Sequence, residues 1–192
     1  MAAPYFDHSV AEFLDLVARR SPAPGGGGAA ALTVSLAASL VAMAARYSSD
    51  LSDAGERLVE EAERLRADAA GLADDDAEAY GAVIAVYAKA RDAGSTDREE
   101  LRRVLTRAAE VPLQIVEIGA ETARLAALLA TEGKRDVRGD ATTALLLAEA
   151  ATRSAAYLVA VNVGSGGEEE ALRRRATDGV TSASASVRRG TA

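Results

Sequence analysis

The sequence contains no cysteine and a single histidine, His8. Without cysteine the chain can form no disulfide, no thiolate nucleophile and no zinc–thiolate site. A single histidine also excludes the paired-histidine motifs of zinc hydrolases and the Glu-x-x-His pairs of di-iron bundles. Any chemistry must therefore use carboxylates, amides, hydroxyl groups, lysine, arginine or the backbone.

Tryptophan is absent and aromatic residues make up only 4% of the chain. Basic residues are outnumbered: the formal net charge is −7 and no basic face stands out, which argues against a nucleic-acid partner. Alanine is abundant and β-branched runs are missing, a composition typical of helices that pack closely through small side chains. At 192 residues the chain is long enough for a sizeable core.

The most unusual stretch is the loop from Ser21 to Gly28, with two prolines and four consecutive glycines, followed by a helix without charge until Arg46. Such a helix, apolar on every side, is expected to be buried all round. A glycine loop that opens a helix presents bare N–H groups and suits an anionic ligand. No strand precedes these glycines, which excludes a dinucleotide fingerprint.

Arg19-Arg20 followed by this apolar run also resembles a twin-arginine signal, or a short membrane span. Three acidic residues upstream, Asp7, Glu12 and Asp15, argue against both interpretations. So does the loop of proline and glycine between the arginines and the run. We therefore expect a core helix in a cytoplasmic protein with no membrane partner.

Apolar periodicity and helix breakers predict an all-α fold, a single-domain bundle of about six helices over residues 1–192. The central helix is the alanine-rich one that follows the glycines. Capping signals are expected at Ser9, at Ser52 or Asp53, at Thr96, at Asp140 and at Ser165. Pro112 should kink or restart the fourth helix. Residues 176–192 are rich in serine and alanine and are expected to fray.

The third predicted helix carries a carboxylate on its apolar face. Its apolar positions recur at spacings of three and four, and Asp76 falls on the same stripe. A buried carboxylate is costly unless it is paired or used. Either the apolar stripe ends early, or Asp76 pairs with an arginine, or it faces a cavity with a raised pKa. Tyr80, one turn on, could add a hydroxyl group. Asp74 and Asp75 point elsewhere and are interpreted as solvated charges.

A polar loop and a second stripe follow. Residues 132–140 contain Lys134, Arg135 and Arg138, which form either a solvated loop or a clamp for a substrate carboxylate. Asp140 begins a stripe of small and apolar residues that ends at Asn162. A polar side chain among valines must find a partner, so Asn162 is either a helix-end cap or a site residue.

Several segments together resemble a known family, and the resemblance covers about residues 8 to 165. It is the cyclodeaminase/cyclohydrolase family of folate enzymes. The matching segments are Glu12-Phe13-Leu14, Pro24-Gly25-Gly26-Gly27, Asp76-x-x-Ala79-Tyr80-x-x-Val83, Val111-Pro112-Leu113, Gly133…Val137…Asp140 and Val159-x-Val161-Asn162.

The resemblance implies an all-helical homodimer with a folate-type substrate and no metal or separate cofactor. It implies an enzyme that converts 5-formiminotetrahydrofolate to 5,10-methenyltetrahydrofolate with loss of ammonia, or that hydrolyses the methenyl form. Carboxylates would carry the acid/base steps. Asp140, Asp76 and Asn162 are then the expected catalytic residues. The expected substrate-binding residues are Gly25, Gly26, Gly27, Gly28, Tyr80, Lys134, Arg135 and Arg138.

Two departures from the family pattern leave alternatives open. Gly28 stands where the family usually has serine, and the loop from Gly133 to Asp140 lacks the usual two asparagines and one serine. One alternative is a family member recruited to a different cyclisation or C–N bond reaction in specialised metabolism. The other is a non-catalytic helical dimer that binds a ligand.

Overall fold

The computed structural model of the chain describes residues 3–48, 53–95, 97–163 and 167–192. These residues form α-helices joined by short connections, with no strand among them, which confirms the all-α prediction. The helices are α1 Val10–Ala18, α2 Gly26–Ser48, α3 Asp53–Ala93, α4 Arg98–Glu132, α5 Arg138–Asn162 and α6 Gly167–Gly190. Short 3-10 helices occupy Tyr5–Asp7 and Arg135–Val137.

Side-chain caps fix two of the helix starts. At α1 the Ser9 hydroxyl accepts from the Glu12 N–H, and the Glu12 carboxylate accepts from the Ser9 N–H at 2.8 Å, the predicted capping box. At α4 the Asp97 carboxylate accepts from two backbone N–H groups of the first turn. Ser52, Thr96 and Ser165, which were predicted as caps, lie outside the described residues.

Helices α2 to α6 pack as a bundle whose interior is built largely from alanine. α2 lies against α3 and α5, while α4 lies against α3, α5 and α6. Small side chains line these contacts, and larger ones such as Leu125 and Leu145 fill the remaining space. Because alanine adds little bulk, the helix axes can approach closely, and one interior can be shared by five long helices.

The bundle has two ends that carry different chemistry. We call the first the glycine end: it holds Gly25–Gly28, Asp76 and Asn162, and Gly26 lies beside Leu158 near the end of α5. We call the second the basic end: it holds Lys134, Arg135, Arg138 and Asp140, and the Lys134 N–H donates to the Ser48 hydroxyl at 3.1 Å. α2 runs from the glycine end to the basic end, which separates them by about 33 Å at 1.5 Å per residue.

α2 is not buried on every side, which corrects the expectation from its apolar composition. Leu36 and Tyr47 on α2 are exposed. Its neighbour α5 likewise exposes Leu146, Tyr157 and Val161. The sequence stretch is uniformly apolar because one side of α2 packs inside the bundle while the other forms an apolar surface. We call these exposed side chains of the two helices the α2/α5 face.

Two segments, Gly26–Ser48 and Arg135–Asn162, are long and apolar enough to cross a membrane by length and composition. Both are packed into the bundle, where they share its core. The C-terminal segment also differs from expectation, because α6 is helical to Gly190 rather than frayed after Arg175. Buried Ala183 and Ser186 on α6 explain this continuity, since they anchor the helix against the rest of the bundle.

Candidate functional site

The glycine end contains a cavity of about 300 Å³ bounded by the glycine loop and by α2, α3 and α5, with Ala108 of α4 completing the lining. The loop and the start of α2 form one wall, α3 a second, and the last turn of α5 a third. The polar side chains in this lining are Asp76, Tyr80 and Asn162, and the rest is glycine backbone and apolar groups. The lining residues are Pro22, Ala23, Gly25, Gly26, Gly27, Asp76, Tyr80, Ala108, Leu158, Val161 and Asn162.

The Asp76 carboxylate lies against the first turn of α2. Gly27 makes this approach possible, because a Cβ at that position would overlap the Asp76 carboxyl group. Its neighbour Gly26 has ordinary space around it, with the nearest side-chain atom 3.7 Å from a Cβ placed there. Only one of these two adjacent glycines is therefore required by the close contact with Asp76.

Two opposing effects act on the Asp76 carboxyl. Burial raises its pKa above the usual range, because the charged form loses hydration, and the hydrogen bond from the Gly28 N–H partly offsets that rise. The Asp76 carboxylate thus faces the positive N-terminal end of α2. The sequence had suggested that an anionic ligand would bind there. A carboxyl group with a raised pKa on a cavity wall is better suited to proton transfer than an exposed carboxylate.

Asn162 is held in place by a gap in the hydrogen bonding of α4. Pro112 lies inside that continuous helix, which neither ends nor restarts there, and it has no N–H for the carbonyl four residues earlier. That carbonyl belongs to Ala108, and it accepts from the Asn162 side-chain Nδ2 at 2.7 Å. The amide nitrogen is thereby fixed, and the Asn162 Oδ1 stays available to the cavity as an acceptor.

The N-terminal segment adds a residue that sequence reasoning missed. The Tyr5 N–H donates to the Asp74 carboxylate at 3.0 Å, and the Tyr5 ring packs edge-on against Phe13. Asp74 is thus a tether and not the solvated charge that was predicted. Burial, aided by the charges of Asp74 and Asp76, raises the pKa of Tyr5. The sequence carried no signal for this contact, because it joins residues 69 positions apart.

The basic end does not meet the glycine-end cavity within one chain. Asp140 lies in the exposed first turn of α5, about 33 Å along that helix from Asn162. It is not the N-cap that was predicted, because α5 begins directly after the 3-10 helix and Val137 takes the cap position. Lys134, Arg135 and Arg138 are exposed beside it, and the Arg138 Nε donates to the Gly133 carbonyl at 3.0 Å.

The predicted site residues therefore fall into two groups. Gly25, Gly26, Gly27, Asp76, Tyr80 and Asn162 line the glycine-end cavity, with Gly28 directly behind the Asp76 carboxylate. Lys134, Arg135, Arg138 and Asp140 are at the basic end. Among the described residues no group of three or more His, Asp or Glu side chains is arranged to hold a metal ion.

Comparison with known proteins gives consistent matches. Residues 9–179 match the family described as formiminotransferase-cyclodeaminase. A methenyltetrahydrofolate cyclohydrolase from Methylorubrum extorquens is 35% identical over 169 residues, which cover 81% of this chain and 79% of that protein. The crystal structure of formiminotetrahydrofolate cyclodeaminase from Thermotoga maritima matches with a TM-score of 0.80 and 27% identity, covering 94% of this chain and 90% of that one.

Proposed function

The chain belongs to the formiminotransferase-cyclodeaminase family, and we propose that it is a folate one-carbon enzyme that hydrolyses 5,10-methenyltetrahydrofolate. The relative that is 35% identical is a cyclohydrolase, which favours hydrolysis. The observation that carries the proposal is the Asp76 carboxyl group, partly buried on a cavity wall against the start of α2. A group of this kind supplies the proton transfers that opening of the methenyl bridge requires.

The proposed reaction has two steps. Water adds to the carbon that bridges N5 and N10, and ionised Asp76 takes the proton that the water loses. One of the two C–N bonds of the resulting adduct then breaks as its hydroxyl group becomes the formyl carbonyl. The protonated carboxyl returns its proton to the departing nitrogen, and the hydroxyl proton is released to solvent. The pKa of Asp76, raised by burial, allows the same group to act as base in the first step and acid in the second.

Asn162 is proposed to orient the adduct. Its Nδ2 is occupied by the Ala108 carbonyl, so its Oδ1 can accept from the hydroxyl of the adduct. Tyr80, one turn beyond Asp76 and 44% exposed, is proposed to contact the substrate at the cavity mouth. The glycines of the loop would contact the flat ring through backbone, since they have no side chains to hold it away.

Formation of the methenyl bridge from 5-formiminotetrahydrofolate is a second candidate. It is favoured by the match at TM-score 0.80 to a formiminotetrahydrofolate cyclodeaminase. In that reaction N10 attacks the formimino carbon, the ring closes and ammonia leaves with a proton. The same carboxyl group would take the proton from N10 and give it to the leaving nitrogen, so Asp76 keeps its role in both reactions.

We further propose that the enzyme is a homodimer whose copies meet through the α2/α5 face. Leu36, Tyr47, Leu146, Tyr157 and Val161 are exposed there, and large apolar side chains on a helix surface are typical of interfaces. A twofold axis perpendicular to the helices would place the basic end of one copy beside the glycine end of the other, where Asp74 and Asp76 lie. Opposite charges would then meet, and the 33 Å separation within one chain would be bridged.

In this dimer Asp140 of the partner subunit would reach the cavity and assist the proton transfers. The partner subunit's Lys134, Arg135 and Arg138 would bind the glutamate carboxylates of the folate, because arginine pairs with carboxylate in a two-point geometry. The proposal includes no metal and no separate cofactor, and a cytoplasmic location.

The methenyl chromophore provides the test. Purified protein is mixed with 5,10-methenyltetrahydrofolate and, in a second experiment, with 5-formiminotetrahydrofolate. Hydrolysis bleaches the chromophore in the first mixture, and deamination builds it in the second. If neither absorbance changes beyond the rate without protein, the proposed function is wrong and the alternatives of a different C–N reaction or ligand binding gain support.

A further inference from the structure

A second cavity of about 280 Å³ lies next to the glycine-end cavity. The two share Asn162, and Leu105 in the second cavity is one turn along α4 from Ala108 in the first. The hydrogen bond from Asn162 to the Ala108 carbonyl therefore stands at the junction between them. A ligand in one cavity would be in contact with the same asparagine as a group bound in the other.

Glu169 on the wall of this second cavity is an unusual carboxylate. Its side chain is only 10% exposed, and its Oε1 pairs with the Arg102 Nε at 3.3 Å. Its Oε2 is enclosed and has no hydrogen-bond partner among the residues that the structure describes. A buried acceptor of this kind is costly to leave unpaired, so it marks a place where a donor is expected.

The rest of the lining restricts what the donor can be. Leu101, Leu105 and Val163 provide apolar surfaces that suit a flat ring. Arg98 and Arg102 also line the cavity, so a cationic donor would be repelled. The cavity thus favours a neutral planar heterocycle with adjacent N–H groups at one edge. Rotation of the terminal torsion of a glutamate is soft, so its carboxylate can turn its free oxygen towards such an edge.

We propose that this second cavity is the compartment for the amino-pyrimidinone edge of the substrate's pteridine ring, and that Glu169 accepts hydrogen bonds from its ring N–H and amino group. The assignment rests on the proposed folate function. With that edge on Glu169, the ring extends past Asn162 towards the Asp76 cavity, where the one-carbon bridge would react. Glu169 then determines specificity and contributes to binding, while Asp76 carries the chemistry.

The test compares two pteridines that differ at one position. The probes are 2-amino-4-oxopteridine and 2,4-dioxopteridine, titrated by their fluorescence against the wild type, Glu169→Gln and Glu170→Gln. Glu170 is the next residue on α6 and is exposed, which makes it a matched control. In the dioxo compound the 2-oxo oxygen would face a Glu169 carboxylate oxygen, and two acceptors cannot form a hydrogen bond. The wild type should therefore bind the amino compound at least about tenfold more tightly.

The preference should shrink to about twofold or less in Glu169→Gln and stay unchanged in Glu170→Gln. Equal binding of both probes by the wild type, or an intact preference in Glu169→Gln, would overturn the assignment. Thermal unfolding of each variant checks folding. If the glutamine variant does not fold, Glu169→Asp is used, and its shorter carboxylate should reduce the preference.

These titrations contain no one-carbon unit, so they are independent of turnover. A protein that opens the methenyl bridge but shows no preference dependent on Glu169 keeps the proposed function and loses this assignment. A protein that shows the preference but leaves methenyltetrahydrofolate unchanged keeps the pteridine compartment and loses the proposed function.

Discussion

The two ends of the bundle carry their polar groups in opposite ways. At the glycine end, Asp76 accepts from the Gly28 N–H and Asn162 donates to the Ala108 carbonyl, so both side chains are held by backbone beside a cavity. At the basic end, Lys134, Arg135 and Asp140 are exposed at the start of α5. One end fixes and partly dehydrates its polar groups, whereas the other carries them at the surface, where the Arg138 Nε bonds to the Gly133 carbonyl.

This difference suggests that the two ends have separate roles in proton transfer and substrate binding. A carboxyl group whose pKa is raised by burial is better suited to proton transfer than an exposed carboxylate. Exposed cations are strongly hydrated and contribute little to the fold, yet they are well placed to attract a charged substrate. We therefore propose that the glycine end carries proton transfer and that the basic end recognises the substrate's carboxylates.

The largest effect should follow removal of the charge at the glycine end. Asp76→Asn keeps the shape and the acceptor for the Gly28 N–H but cannot exchange a proton. We expect kcat/KM for methenyltetrahydrofolate to fall at least about a hundredfold. The matched control is Asp75→Asn, since Asp75 lines a groove on another side of α3 with Gly71 and Gln114. Equal losses in both variants would show that the effect is not specific to the cavity.

The same variant has a predicted signature in stability. Because the folded-state pKa of Asp76 is raised, the wild type binds this proton more tightly when folded, and its stability falls as pH rises through that pKa. Asp76→Asn lacks this titration, so its Tm relative to the wild type should increase with pH over that range. Thermal unfolding at a series of pH values measures the difference, and an opposite slope would contradict a raised pKa.

The close contact between α2 and α3 gives the next largest effect. A methyl group in Gly27→Ala would overlap the Asp76 carboxyl and displace it, whereas Gly26→Ala has room. We expect kcat to fall about ten- to a hundredfold in Gly27→Ala, because misplacement of a reacting group by about 1 Å is costly. In Gly26→Ala kcat should stay within about twofold, and any effect of the added methyl group on substrate contact should appear in KM. Similar rates for the two variants would show that the position of Asp76 does not matter.

A smaller effect is expected at Pro112. Pro112→Ala supplies the missing N–H, which would compete with Asn162 for the Ala108 carbonyl. Asn162 would then be less firmly oriented, and kcat should fall about three- to tenfold while the helix gains a hydrogen bond. Steady-state kinetics and thermal unfolding are measured together. If Pro112→Ala, Asn162→Ala and the double variant all lose kcat to the same extent, the two residues act as one unit.

The smallest effect concerns Gly28, where the family usually has serine. A Cβ at this position would be 3.4 Å from the Pro24 Cβ, an ordinary contact, and the backbone N–H that donates to Asp76 is retained. Gly28→Ser should therefore change kcat/KM by about twofold or less and leave the Tm almost unchanged. A loss comparable to that of Gly27→Ala would show that the wall behind Asp76 is tighter than its geometry indicates.

Local patterns were sufficient to predict the helices and the position of Asp76, because spacings of three and four report which residues share a helix face. The apolar stripe predicted on α3 from Leu58 to Tyr87 is half-buried at Leu58 and exposed at Tyr87. Between them its apolar members are buried, namely Ala62, Leu65, Ala69, Leu72, Ala79 and Val83. The contact of Asn162 with Ala108 was not predictable, since it links a gap made by Pro112 to a different helix. The exposed side of α2 was also missed, because an apolar sequence does not distinguish a core from an interface.

Asp140 was predicted to be catalytic, but within one chain it lies far from the cavity. Its predicted catalytic role can be met in the cavity only by a second copy, since the ends of one chain are about 33 Å apart. We propose that the enclosed end of one subunit and the exposed end of its partner form one site. Asp76→Asn and Asp140→Asn should each reduce turnover strongly as homodimers without loss of folding.

Mixing the two variants tests this claim directly. Co-expressed with different tags, they form hybrid dimers in which one of the two shared sites contains both an intact Asp76 and an intact Asp140. With random pairing, half of the dimers are hybrids and about a quarter of the wild-type activity should return. If the isolated hybrid is no more active than the two parent variants, the two aspartates do not serve one site across the dimer, and the claim is wrong.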